Sequence, residues 1–246
     1  MRPLNEKEKE EYVFRVFQSI AGSYDGANQR ISIGAHMHWK RRAARALCAM
    51  LPDGCSILDI GCGTGDMLRI FSAERPRARL TGLDFSPNML SVAEDRCRGI
   101  AQLTLRQGNA MALPFSDGSF DGACMSFALR NTADYSRTLR EAARVLRPGG
   151  VMLVIDSFVP QGRLVRPFYD LYFSKLMPLL GGGFRRRREY DWLTRSTREF
   201  ISTDRLRDLM GEAGLTSCGG KAFMFGACAY VLGIKNTEGD SFDADI

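Results

Sequence analysis

The chain has little with which to hold a metal: two histidines in 246 residues, and seven cysteines without a C-x-x-C pair. Cys48, Cys55 and Cys62 recur every seven residues, the wrong interval for a zinc knuckle. An odd number of unpatterned cysteines fits free thiols in a reducing compartment, so a cytoplasmic protein without a metal is expected. No run of eighteen uncharged apolar residues occurs, and no spanning helix is expected. The opening MRPLNEKEKEEY is charged where a secretory signal would be apolar. Internal repeats, low-complexity tracts, an N-P-P-Y motif and a P-C pair are missing too. Without such motifs, or a basic face interleaved with aromatics, nucleic acid is not the expected partner despite a pI near 9.0.

The stretch NTEGDSFDADI (236–246) has four acids and no base, and reads as a disordered acidic tail. The remainder carries 34 basic against 24 acidic residues, a surface suited to nucleic acid, anionic lipid or an anionic ligand. With 45% hydrophobic and 25% charged residues, the composition is that of one globular domain with a lid.

Residues 6–20 place Tyr12, Val13, Val16, Phe17 and Ile20 on one helical face. A second helix, roughly 37–50, carries Trp39, Ala43, Leu47 and Met50 inward. SILDI (56–60) is a short buried strand, and RLTGLD (79–84) is the next, followed by Ser86-Pro87 as helix cap and first helical residue. LTLRQG (103–108) and DGACMSF (121–127) continue the series. An amphipathic helix over 134–146 stops at RPGG (147–150) before the strand VMLVID (151–156). Strands alternating with helices predict an α/β, Rossmann-like, doubly wound parallel sheet. Two runs near 215–221 and 226–234 leave no room for a helix between them and predict an antiparallel hairpin at the sheet edge. Residues 160–200 are aromatic, arginine-rich and too long for a plain connection, which points to a helical lid over the mouth of the sheet.

ILDIGCGTGD (57–66) lies between a strand and a helix, the setting of a nucleotide cradle. Gly61 and Gly63 are followed by Asp66 where a dinucleotide fingerprint needs its third glycine, and Asp59 lies inside the preceding strand. Pyrophosphate would be repelled by these carboxylates, whereas a phosphate-free cationic nucleoside would be attracted. S-adenosylmethionine is such a molecule. Asp84 ends the next strand, where a carboxylate accepts from both ribose hydroxyls. Asn109, after the third strand, would meet the adenine edge while Ala110, Met111 and Leu113 pack its faces. Taken singly, a glycine turn or a turn asparagine is ordinary structure. Together in sheet order they form a cofactor site.

These motifs resemble the class I methyltransferases, and within them the quinone-biosynthesis C-methyltransferases of the menaquinone and ubiquinone pathways. LDIGCGTGD, LDFSPNML and LRPGG carry the general likeness. YDGANQRISIGAHMHWK (24–40), SFALRN (126–131) and REYDWLTRS (188–196) carry the specific one. The resemblance spans about 12–235 and implies cofactor contacts at Thr64, Asp84, Asn109, Ala110 and Ser126, besides Asp59, Gly61 and Gly63. It departs from the family at Ala27, Asp156 and Phe158, where methionine, glutamate and serine are usual. It further implies one methyltransferase domain over 1–236, with a helical cap at 6–51, a lid at about 160–200 and the tail at 237–246.

The 24–40 segment is expected to cross the carboxyl ends of the strands and form one wall of the acceptor pocket. Tyr24 would stack on or bond to the acceptor or the methionine end of the cofactor. Asn28, Ser32 and His36 are short polar groups able to orient a hydroxyl, although His36 reads equally well as a structural histidine. His38 and Lys40 are expected to be solvated. Arg130, after the fourth strand, would be costly to bury without an anion. A phenolate acceptor or a local acid such as Asp134 or Glu141 would serve. Deprotonating a quinol hydroxyl gives an enolate whose ortho carbon attacks the sulfonium methyl. Arg130 and Asn131 would steady the phenolate, with His36 or a water taking the proton. A prenylated quinol is therefore the expected acceptor, with another aromatic small molecule of secondary metabolism as the alternative. The 167–184 stretch and Arg185–Arg188 read either as a peripheral membrane contact or as a lid helix with a solvated basic turn.

Overall fold

The computed structural model describes residues 5–32, 34–160, 162, 166 and 187–237. The parallel strands are β1 (Ser56–Ile60), β2 (Arg79–Asp84), β3 (Leu103–Gln107), β4 (Phe120–Ser126) and β5 (Leu146–Ser157). The hairpin of β6 (Leu215–Phe223) and β7 (Cys228–Lys235) completes one seven-stranded sheet, ordered β3-β2-β1-β4-β5-β7-β6. β7 is antiparallel to both of its neighbours, so the hairpin closes one edge as the sequence predicts. Strand order reverses between β1 and β4, and there the connections leave for opposite faces and open a crevice.

Eight α-helices are described: α1 (Glu6–Ile20), α2 (Tyr24–Ile31), α3 (Ala35–Cys48), α4 (Asp66–Glu74), α5 (Pro87–Arg96), α6 (Tyr135–Val145), α7 (Arg187–Arg198) and α8 (Thr203–Glu212). Their starts follow capping chemistry. Asn5 and Glu8 form a capping box on α1, and Ser86, Asp134 and Ser202 each accept from the backbone N–H three residues on. Leu47 of α3 and Leu68 and Phe71 of α4 cover one face of the sheet. Leu139 and Ala142 of α6 with Leu206 and Met210 of α8 cover the other. A third cluster joins Val13 and Val16 of α1 to Trp192 of α7, whose ring lies 5.2 Å from that of Tyr12.

Three details differ from expectation. Met50 is 40% exposed, because α3 ends at Cys48 and the chain turns before residue 50 reaches the core. RPGG does not precede the fifth strand but lies within it. Leu146 already pairs with Phe120, the register shifts before Gly122 pairs with Val151, and Gly149 takes φ +76, as an irregularity in the ladder requires. Lys40 is buried, for the reason given below. The lid expected over 160–200 falls largely outside the described residues, as does the acidic tail from 238 onward. Among the described residues no helix is long and apolar enough to cross a membrane.

Candidate active site

A cavity of about 340 Å³ opens at the carboxyl ends of the parallel strands. Its floor is made by Gly61 and Gly63 after β1, Asp84 and Phe85 at the end of β2, Gly108–Met111 after β3, and Met125–Ala128 at the end of β4. Glu10, Glu11, Val13, Phe14 and Phe17 of α1 lie across it, with Tyr24 beside them.

The glycine loop is shaped by its own backbone. Gly61, Gly63 and Gly65 have φ of +72, +53 and +84, a region costly to any residue with a side chain. Gly61 and Cys62 both donate N–H to Leu83 O, at 2.7 and 3.0 Å, which ties β1 to β2 at the crevice. A Cβ on Gly61 would stand 2.7 Å from Ala128 Cβ, and one on Gly65 2.6 Å from Cys97 Sγ. A Cβ on Gly63 would meet nothing within 4 Å, so at that point bare backbone lines the cavity.

Asp84 receives the Gly63 N–H on Oδ2 at 2.8 Å and the Ser86 N–H on Oδ1 at 2.9 Å. Each oxygen keeps a further lone pair for a ligand. Burial raises this carboxyl to about 6, against the pull of those N–H groups. Asp59 sits deeper, 1% exposed, and neither of its oxygens has a hydrogen-bond partner. Burial raises it to about 7, with Lys40 opposing and Asp84 and Asp66 adding to the rise. The Ser126 hydroxyl is likewise buried and unpartnered. Buried carboxylates around a concave backbone cradle fit a ligand that carries ribose hydroxyls and positive charge.

The N-terminal helices are bolted to this loop by a charge network. Lys40 Nζ donates to Asp66 Oδ2 at 2.9 Å, both side chains being 8% exposed. Arg96 reaches Asp66 at 2.7 Å and Asp25 at 2.6 Å. Thr64 Oγ1 donates to Asp25 and accepts from Arg96, both at 2.7 Å. Asp66 is lowered to about 2, because Lys40 and Arg96 outweigh its burial. Lys40 is thus buried rather than solvated: the turn that begins α4 presents a carboxylate to it. Gln18 at the end of α1 makes a second anchor, accepting from Ser86 Oγ at 2.7 Å and Asn88 N at 3.0 Å. At the other end of the roof, Asn109 Nδ2 donates to Glu10 Oε1 at 3.3 Å.

On the β4 side, Phe127 holds a left-handed backbone, φ +56, with Lys40 Nζ and Arg130 Cζ at 5.7 and 5.6 Å from its ring centre. Arg130 is 4% exposed and its guanidinium is paired with Asp156. Asp134 and Glu141 do not take it, since Asp134 caps α6 and Glu141 is engaged by Arg144 and the Leu113 N–H. Asn131 Nδ2 donates to Phe127 O at 3.1 Å, and its Oδ1 accepts from Trp192 Nε1 at 3.0 Å.

Of the residues singled out from sequence, Tyr24, Gly61, Gly63, Asp84, Asn109, Ala110, Ser126 and Asn131 line the cavity. Asp59, Thr64, His36 and Arg130 stand behind that lining. His36 is buried, its Nδ1 2.6 Å from Ser32 Oγ, and burial followed by Lys40 lowers its pKa. Asn109 Oδ1 accepts from Met111 N at 2.9 Å and its Nδ2 is shared with Glu10, which leaves one N–H and one oxygen lone pair for a ligand. Glu10, Gln18, Asp25 and Arg96 were not foreseen. Only the charge of Glu10 and the polarity of Gln18 within an otherwise amphipathic helix hinted at them.

Residues 5–235 match the ubiE/COQ5 methyltransferase family. Demethylmenaquinone methyltransferases of Staphylococcus aureus strains JH9 and Newman are each 38% identical over 239 residues, 95% of this chain and 98% of theirs. Among solved structures, a SAM-dependent methyltransferase of Thermotoga maritima is similar at TM-score 0.63 and 22% identity, covering 91% of this chain and 100% of its own. One from Aquifex aeolicus gives 0.58 at 16% identity, covering 78% and 89%. The cyclase SpnF gives 0.61 at 20%, covering 80% and 81%. Likenesses this distant share the fold alone.

Proposed function

The chain belongs to the ubiE/COQ5 methyltransferase family, and from that premise we propose that it methylates a ring carbon of a prenylated quinol with S-adenosylmethionine. The observation that carries this reading is Asp84, a buried carboxylate held by two backbone N–H groups beside the bare backbone of Gly63. When bound, S-adenosylmethionine supplies a methyl group on a sulfonium.

The chain's own residues then have the following work. Asp84 accepts the two ribose hydroxyls, and Gly61 and Gly63 admit the nucleoside close to backbone. Ala110, Met111 and Phe85 flank a flat base, and an Asn109 N–H meets its edge. Asp59, ionised by a neighbouring cation, offsets the positive charge of the methionine end. Tyr24 and Asn131 line the remaining space and orient a ring hydroxyl so that the ortho carbon faces the methyl. Arg130 acts from behind the wall. Paired with Asp156, it pins the turn that carries Phe127 and Asn131 and contributes positive potential under the ring as phenolate character develops. His36, held neutral and facing Ser32, fits a structural part better than that of the base.

The test is mass spectrometry of products made with methyl-labelled S-adenosylmethionine from reduced demethylmenaquinone, a reduced demethylated benzoquinone, and both unreduced quinones. Label on a reduced ring carbon, lost in Asn131→Ala while adenosylhomocysteine still binds, is the expected result. Cofactor binding without label on either quinol would overturn the acceptor and favour a different aromatic small molecule.

A further inference from the structure

The most exposed large apolar side chains among the described residues are neighbours, Phe225 at 83% and Met224 at 61%. They form the turn between β6 and β7, where Met224, Phe225 and Gly226 all take left-handed backbone, φ +47, +54 and +96. Residues with side chains are disfavoured there, and polar Asn, Asp or Gly is the usual occupant. Here the strained turn pushes two apolar side chains into water.

The base of the turn is firmly packed. Phe223 stacks on Trp39 with ring centres 6.0 Å apart and planes at 20°, and lies 6.1 Å from Tyr230. Ser157 pairs with Cys228, and the Phe158 N–H donates to Ala227 O at 3.1 Å. The turn therefore projects beyond the carboxyl end of β5, the same end of the sheet that holds the cavity. Two cations lie along its base. Lys221 shares a face of β6 with Phe223, and Arg42 lies one helical turn after Trp39 on α3. Both are exposed, and neither has an acidic partner among the described residues.

An apolar tip on a rigid base, flanked by unpaired cations, suits an interface that is apolar inside and anionic at its surface. We propose that Met224 and Phe225 form a docking tip that enters the headgroup–acyl boundary of an anionic bilayer, with Lys221 and Arg42 on the headgroups. A soluble protein partner would be expected to offer acids to these cations and a pocket to the aromatic ring. A bilayer provides both without a shaped surface. The purpose of docking rests on the quinol reading, because it sets the cavity mouth against the layer that holds a prenyl tail; the docking itself does not.

The experiment is co-sedimentation of the full chain with phosphatidylcholine vesicles, with and without phosphatidylglycerol. Phe225→Asn keeps a residue that tolerates left-handed backbone and removes the apolar ring, whereas Phe225→Trp keeps an interfacial aromatic. The wild type is expected to bind the anionic vesicles. Phe225→Asn should partition about tenfold more weakly, Phe225→Trp should match the wild type, and Lys221→Glu should lose binding to anionic vesicles only. Adenosylhomocysteine affinity, unchanged in all three, reports an intact fold. Equal sedimentation of wild type and Phe225→Asn would overturn the proposal. So would wild type that ignores every vesicle, or that elutes as a dimer which Phe225→Asn makes monomeric. If the tip docks but no quinol is methylated, the acceptor reading fails and the surface stands.

Discussion

On its strand side the cavity is walled largely by backbone, with the left-handed glycines Gly61 and Gly63 beside the carboxylate of Asp84. On its helical side α1 and Tyr24 lay side chains across the opening, and they are held by contacts from distant parts of the chain. Gln18 to Asn88 spans 70 residues, Thr64 to Asp25 spans 39, and Trp192 to Asn131 spans 61. The first wall is rigid because few backbone shapes satisfy it. The second is as firm as its hydrogen bonds and ion pairs, and it is the side from which a ligand can be admitted. A fold that must recognise one cofactor and admit a bulky acceptor gains from placing fixed backbone on one side and replaceable side chains on the other.

The largest effect is expected at the buried pair on the strand side, where Arg130 follows β4 and Asp156 lies at the end of β5. Arg130→Ala leaves Asp156 as an unpaired interior charge, and should destabilise the protein by about 3–5 kcal/mol in urea denaturation. Arg130→Met with Asp156→Leu should recover most of that loss. A double variant as unstable as Arg130→Ala would mean that packing, not charge pairing, holds the turn.

On the strand wall the comparison can be sharpened with pH. Asp59 titrates near 7 in the folded protein and near 3.8 when unfolded. The folded state thus holds the proton more tightly, so its contribution is complete below pH 3.8 and is lost as pH rises to 7. Asp84, raised to about 6, acts in the same direction. Asp59→Asn should remove a fall on the order of 3 kcal/mol between pH 4 and 7. A cationic ligand demands the ionised form, so wild-type affinity for S-adenosylmethionine should weaken below pH 7. Thermal melts and calorimetry across that range would show parallel slopes in variant and wild type if Asp59 is not the titrating group.

Smaller still is the contrast between two glycines of one loop. Gly61→Ala meets both a left-handed backbone and the Ala128 methyl, and should cost about 2–3 kcal/mol of stability. Gly63→Ala meets only the backbone penalty, about 1 kcal/mol, and should instead weaken adenosylhomocysteine binding. Equal loss of stability without loss of affinity at Gly63 would show that the cradle is not where the nucleoside lies. At the mild end, Gln18→Ala removes hydrogen bonds at a half-exposed anchor and should cost about 1 kcal/mol or less. Its clearer sign would be faster cofactor release in stopped flow.

Most of the sheet was legible because alternation of apolar strands with capped helices is written in neighbouring residues. Ser86-Pro87 and Asp134 start their helices where local chemistry predicts. The glycine loop and Asp84 were legible for the same reason, since positive φ and a strand-end carboxylate are properties of a few consecutive positions. The helix does stop before RPGG, but RPGG is a bulge inside β5 rather than a break ahead of it, because glycine and proline mark helix ends and irregular strands alike.

Neighbouring residues alone settled the order of strands and helices, the glycine loop and the family whose motifs the chain bears, all short-range features. The tertiary structure alone decided that Lys40 is buried on Asp66, that Arg130 answers to Asp156, and that Gln18 and Arg96 fasten the roof. Lys40 and Arg130 enter the interior because a carboxylate meets each of them, and which carboxylate that is depends on how separate elements pack.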